Sequence, residues 1–175
     1  MLFKSTKIEG AWLVDLQRIG DERGFFARAW CAEEFADHGI NSKLCQINLS
    51  YSQKRGTLRG MHYQNDPHSE MKAVRCIKGA LFDVIIDLRP ESITYKHWLG
   101  YELNEANNSM LIVPEGCAHG FLTLKDDSEA FYLVSAGYNQ ESERGLRWDD
   151  PSFNIKWPFH PIEVSSKDRS WKNYE

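Results

Sequence analysis

The chain has 175 residues, a hydrophobic fraction of 42%, an aromatic fraction of 13% and a formal net charge of −4. That length suits one domain, 1–175, with enough chain to bury a core, and the acidic balance excludes the basic field that nucleic acid or an acidic membrane surface needs. No apolar run approaches the roughly 18 residues that span a bilayer, and MLFKSTKIEG lacks the apolar stretch of a signal peptide, so a cytoplasmic protein is expected.

In chain order, the predicted strands are 11–16, 25–30, 44–50, 72–77, 81–88, 98–103, 109–113, 120–124 and 130–135. These are short β-type runs separated by turn residues. Segment 32–38 (AEEFADH) is the best short helix, with Gly39 as its C-terminal stop. Lys78-Gly79 predicts a tight hairpin between VRCI and ALFDVIIDL, because glycine accepts the positive φ such turns require. From Trp148 onward, Pro151, Pro158 and Pro161 among aromatics predict an ordered wrapping loop. Many short strands with little helix predict an all-β sandwich or barrel, jelly roll among the leading options, with its ligand in the barrel mouth. Cys31, Cys45, Cys76 and Cys117 lack C-x-x-C spacing and are expected to be small buried hydrophobes in a reducing compartment.

Four polar clusters could carry chemistry. The densest is 59–64 (RGMHYQ), followed by His68, Glu70 and Lys72. Strand alternation would put Gly60, His62 and Gln64 on one face and Arg59, Met61 and Tyr63 on the other. Alone, His62 reads more readily as a satisfied structural histidine than as a functional one. The second cluster, 113–121 (VPEGCAHGF), is a turn that would deliver His119 at the start of a strand. The third, 143–151 (ERGLRWDDP), could be a charged surface loop, and the fourth is 166–168 (SKD) near the end. Together they supply a base, cations for phosphate and aromatic platforms.

GTLRGMHYQ, FDVIIDLRP, VPEGCAHGF, ERGLRWDDP and SSKD, with DERGFF at 21–26 and the pattern around Lys72, closely resemble the dTDP-4-dehydrorhamnose 3,5-epimerase family. The resemblance implies a cupin-type jelly roll with a few short helices, usually a homodimer in which a segment of one subunit closes the site of the other. It implies inversion of C3, C5 or both in a nucleotide-linked 4-keto-6-deoxyhexose, without metal or redox cofactor. In the implied roles, His62 is the base beside the C4 ketone, Asp168 holds its tautomer, and Tyr132 returns a proton from the opposite face. Lys72 would stabilise the C4 enolate, with His119 nearby. Arg59, and Arg23 from the partner, would grip the diphosphate, with Phe26 also in the binding set. Gln46, Asn48, Glu143 and Lys167 would line nucleotide and sugar, and Tyr138 would stack on the base.

Arg28 departs from the family, standing where a glutamate usually contacts the nucleotide. An arginine can donate to cytosine, so a CDP-linked substrate is an alternative to dTDP. Ile47, Leu49 and Leu133 likewise replace polar residues usual in the family. Two further readings compete: a metal-dependent cupin using His62, His68, His119 and Glu70, and a sugar-nucleotide binder without turnover.

Overall fold

The computed structural model describes residues 1–40 and 43–175. In chain order the elements are β1 (Leu2–Ser5), β2 (Trp12–Asp15), β3 (Arg18–Asp21), β4 (Gly24–Ala27), α1 (Ala32–Ala36), β5 (Gln46–Ser52), β6 (Thr57–Gln64) and β7 (Lys72–Lys78). They continue with β8 (Ala80–Asp87), β9 (Trp98–Asn104), β10 (Met110–Val113), β11 (Cys117–Thr123), β12 (Ser128–Val134), β13 (Glu143–Gly145), β14 (Glu163–Val164) and α2 (Ser166–Ser170).

Two sheets face each other in a cupin-type jelly roll. One has the order β1-β2-β10-β7-β12-β5; the other runs β13-β6-β11-β8-β9, with β14 alongside β6. Strands β3 and β4 form a separate two-stranded ribbon. The expected strand at 25–30 thus ends early, at Ala27, and among the described residues pairs only with β3.

Alternation along the strands sorts side chains between an inner and an outer face. Val74 and Cys76 of β7, Leu111 and Val113 of β10, and Leu81 and Ile85 of β8 meet in the inner core. The outer face of the first sheet, including Val14, Ala73 and Met110, is covered by Phe35 of α1 and by Ile40. The outer face of the second, including Met61, Val84 and Ile86, is covered by the tail through Leu146 and Phe153, with Trp157 packed against them. The tail is thus a wrapping segment, as expected, but it also contains β14 and α2. Cys76 and Cys117 are buried, whereas the exposed Cys45 and part-exposed Cys31 do not meet the expectation of buried cysteines.

The predicted hairpin at Lys78-Gly79 is not one. Strand β7 pairs with β10 and β12, whereas β8 pairs with β9 and β11. The chain crosses at Gly79 from one sheet to the other. Gly79 has φ +75°, and a Cβ there would sit 2.4 Å from Ser128 Oγ, so the corner requires glycine twice over. A positive-φ glycine is common to a hairpin and a corner, and the local sequence does not distinguish them.

Asp87, at the end of β8, organises the connection to β9. Its carboxylate accepts from Arg89 Nε (2.8 Å), Ser92 Oγ (2.6 Å) and Thr94 Oγ1 (2.7 Å). Burial alone would raise its pKa, but these donors outweigh that and hold it well below the usual carboxylate range. A carboxylate with a depressed folded pKa stabilises the fold above its unfolded value, and that contribution is lost as pH falls. We expect urea midpoints to drop below about pH 4. Asp87→Asn should lower the neutral-pH midpoint and flatten the acid decline; an unchanged acid limb would locate the effect elsewhere.

Candidate active site

The apolar core gives way to polar groups at one end of the sandwich, where two adjoining cavities of about 610 Å³ and 300 Å³ share His62, Lys72 and Tyr132. The larger is also lined by Arg59, His119, Lys167 and Asp168. Gln46, Asn48, Glu70, Tyr138 and Glu143 line the smaller. The two walls come from the two sheets: Lys72 and Tyr132 from one, His62 and His119 from the other.

Register explains who faces inward. Across the first sheet Tyr132 stands opposite Asn48 and Val74, while Val134 stands opposite Gln46 and Lys72, so all share the inner face. In the second sheet, His62 pairs with His119 and Arg59 with Phe121. Three steps on β6 therefore match two on β11, and the extra residue is a bulge at Gly60-Met61. Strict alternation puts Arg59 on the face opposite His62; the bulge corrects that expectation and turns both into the cavity. His119 lies within β11, not at a strand start.

His62 Nε2 donates to Asp168 Oδ1 at 2.6 Å. That bond commits Nε2 as the protonated nitrogen and leaves the Nδ1 lone pair free to accept a proton. Asp168 is buried on α2, where its backbone N–H donates to Ser165 Oγ at 3.0 Å in an N-cap. Its Oδ2 accepts from Gly60 N–H at 3.4 Å. Burial raises the Asp168 pKa, but His62 and the Gly60 and Ser165 donors bring it below the ordinary carboxylate value. A second pair lies deeper: His119 Nε2 donates to Asp83 Oδ1 at 2.8 Å, and Asp83 is fully buried.

On the facing wall Tyr132 is half-buried, and burial, together with the nearby Glu70 charge, raises its pKa against the opposing pull of Arg59. It is therefore a protonated phenol at neutral pH, able to donate. Lys72 Nζ lies 3.1 Å from Glu70 Oε1. Arg59 is steered by Ser52 Oγ (3.2 Å from Nε) and the Tyr51 carbonyl (2.9 Å from Nη2). At the rim, Glu143 accepts from Lys167 Nζ at 2.5 Å and Tyr138 OH at 3.0 Å, which leaves the Tyr138 ring exposed. Gln46 Oε1 accepts the Tyr138 backbone N–H at 3.0 Å.

Three expected site residues lie outside these cavities. Arg23 and Phe26 are on the exposed β3–β4 ribbon, with Arg23 paired to Asp21. Arg28 pairs with Glu34 at 2.8 Å beside the chain's amino terminus, which bonds the same carboxylate group at 2.6 Å. The residues weighed as metal ligands do not gather: His62 and His119 each bond their own aspartate, and among the described residues no three His, Cys, Asp or Glu side chains form a metal-holding group. Asp83 and Ser165 were absent from the expected site. A lone acid inside the apolar run FDVIID, and a Ser three residues before Asp168, were their available signals.

The arrangement sets a lone-pair nitrogen on one wall and a phenol with an ammonium on the other. It can take a proton from one face of a bound carbon, stabilise the resulting charge and return a proton to the other face.

The family whose model matches the chain, over residues 5–175, is described as dTDP-4-dehydrorhamnose 3,5-epimerase. The dTDP-4-dehydrorhamnose 3,5-epimerase of Sinorhizobium fredii is 43% identical over 171 residues, covering 97% of this chain and 88% of that protein. The crystal structure of the Bacillus anthracis dTDP-4-dehydrorhamnose 3,5-epimerase with TDP and PPi bound matches with a TM-score of 0.95, at 37% identity and 99% coverage of each chain. A Legionella pneumophila dTDP-6-deoxy-D-glucose-3,5-epimerase in complex with dTDP-4-keto-L-rhamnose matches with a TM-score of 0.92 at 33% identity, covering 98% of this chain and 92% of that one.

Proposed function

The chain belongs to the dTDP-4-dehydrorhamnose 3,5-epimerase family, and from that premise we propose that it epimerises a dTDP-linked 4-keto-6-deoxyhexose at C3 and C5. The observation that carries this reading is the His62–Asp168 pair on one wall facing Tyr132 and Lys72 on the other, with His62, Lys72 and Tyr132 lining both cavities.

A C–H beside a ketone is a weak acid, so its proton leaves usefully only if the enolate is stabilised as it forms. His62 Nδ1 takes the proton, the C–H electrons move into the C4 enolate, and the Lys72 ammonium meets the charge on oxygen. Tyr132 then donates its phenolic proton to the same carbon from the opposite face, inverting it. Proton exchange with solvent resets imidazole and phenol, and the cycle repeats at the second carbon. A positioned base contributes about 10²–10⁴-fold, and one preorganised electrostatic donor about 10²–10³-fold. The steps move protons only, with no hydride transfer.

Arg59 and Lys167 suit the diphosphate, and the exposed Tyr138 ring suits a stacked base. The base we assign is thymine. Arg28, the residue behind a cytosine reading, is already engaged by Glu34.

The active form in this reading is a homodimer in which Arg23 and Phe26 of a second copy complete the site. Support comes from apolar surface a single chain leaves uncovered: Ile19, Phe25 and Phe26 on the ribbon, and Ile47, Leu49 and Ile77 on the outer face of the first sheet. In that face Arg75 is buried, with Nε and Nη2 lacking a partner among the described residues. An unpaired buried cation is costly, and an acceptor from a second chain would relieve it. Sedimentation equilibrium should return twice the 20.3 kDa chain mass; the single-chain mass would refute the dimer.

The test of function is incubation in D2O with dTDP- and CDP-linked 4-keto-6-deoxyglucose, following deuterium at C3 and C5 by NMR. Enzyme-dependent labelling at both carbons, faster with the dTDP sugar, is expected. Binding without labelling would overturn the epimerase reading, and faster labelling of the CDP sugar would overturn the nucleotide assignment.

A further inference from the structure

Glu70 has no part in the mechanism just given, yet it is the closest ionic neighbour of Lys72. The two side chains are each 12% exposed, with Glu70 Oε1 3.1 Å from Lys72 Nζ. Both line the smaller cavity with His62 and Tyr132. Glu70 sits at the end of the β6–β7 loop, and that loop is fastened from both sides. Met71 N–H donates to Ser135 Oγ at 2.8 Å, and Gln64 Nε2 donates to the His68 carbonyl at 2.9 Å. The carboxylate is therefore held by a fixed backbone against the cavity wall, not carried on a free surface loop.

We propose that Glu70 is a positioning residue of this site, aiming the Lys72 ammonium and setting the charge around the Tyr132 hydroxyl. The proposal rests on the epimerase reading for its kinetic consequence, but its electrostatic consequence is measurable without substrate.

The first argument is geometric. A lysine has a flexible four-carbon stem and loses rotamer entropy when it is fixed. Glu70 is the one salt-bridge partner of Lys72 among the described residues. Without it the ammonium is free to sample the cavity, and stabilisation of a developing enolate depends on donors already in place.

The second argument concerns the balance of charge. Tyr132 lines both cavities, where the cationic groups are Arg59 from β6, Lys72 from β7 and Lys167 from α2. The histidines there are His62 and His119, and the acids besides Glu70 are Glu143, Asp168 and Glu163, the last paired to Lys54. Cations favour phenolate and would disarm a proton donor. After burial, Glu70 is the largest influence keeping the phenol protonated, and Arg59 works against it. Removing the Glu70 charge leaves Arg59 without its counterweight.

The experiment compares wild type with Glu70→Gln and Glu70→Asp. In protein labelled with 13Cζ-tyrosine, the Tyr132 resonance, assigned by its loss in Tyr132→Phe, is titrated by NMR in the absence of substrate. The Glu70→Gln midpoint should fall by about one pH unit, the scale of a single nearby charge. Glu70→Asp should stay near wild type. In the D2O exchange assay, Glu70→Gln should lose about tenfold in kcat with KM changed less than twofold, and the alkaline limb of its kcat profile should move down with the Tyr132 midpoint. An unmoved Tyr132 midpoint, or a loss of rate equal at all pH values, overturns the proposal. A wild-type protein that fails to exchange substrate, with the midpoint still shifted in Glu70→Gln, would sink the epimerase reading while leaving the charge coupling intact.

Discussion

Replacing His62 with alanine should slow substrate proton exchange by about 10³–10⁴-fold, equivalent to about 4–5.5 kcal/mol of barrier, with nucleotide affinity changed little. The large effect follows from how the ring is held. Its Nε2–H is committed to Asp168 at 2.6 Å, so the basic function we assign to this cavity-lining ring resides at Nδ1. Arg59, which we assign to the diphosphate, is anchored independently by Ser52 and the Tyr51 carbonyl and should be undisturbed. The measurements are deuterium incorporation at C3 and C5 and calorimetric titration with dTDP. Exchange within tenfold of wild type would assign the base to another group. Asp168→Asn is the companion variant, since its amide can donate to Nε2 and force the proton onto Nδ1. It should lose rate with the His62 ring still in place.

Gly60→Ala should destabilise the protein by about 2–5 kcal/mol and remove activity with it. Gly60 has φ +131°, and a Cβ there would lie 2.6 Å from Gly120 Cα and 3.0 Å from the His119 carbonyl oxygen. These are backbone atoms of β11, so no rotamer change can relieve the clash. Displacing β6 from β11 would also pull the Gly60 N–H from Asp168 and shift His62, two residues on. Gly24 provides the control: its φ is +133°, but among the described residues nothing beyond its chain neighbours lies within 4 Å of its would-be Cβ. Gly24→Ala should show conformational strain alone, about 1–2 kcal/mol. Equal losses of urea midpoint in the two variants would mean that strain, not close approach of the strands, explains the Gly60 requirement.

Most of the first-sheet site was legible in the chain. Gln46 and Asn48 are two apart on β5, and strand alternation predicts that they share a face. Family motifs picked out His62, Tyr132, Lys72 and Asp168 although they lie up to 106 positions apart in the His62–Asp168 case. Other features were not legible. Helix α2 is only five residues long, too short for an amphipathic period, and is defined by its Ser165 cap and by packing of Asp168. Arg59 is on the cavity side only because β6 carries one residue more than β11 between matched pairs. A bulge depends on two strands together, and neither sequence alone announces it.

The sequence by itself determined the β-rich class, the family and the chemical types available, because periodicity, turn residues and motifs are written locally. Tertiary structure alone decided that Gly79 turns a corner between sheets, that a bulge in β6 turns Arg59 to the His62 side, that His119 takes Asp83, and that Glu70 faces Lys72. Each of these depends on which strand lies beside which. Strand pairing is set by burial and register summed over the whole sandwich, which no short segment encodes.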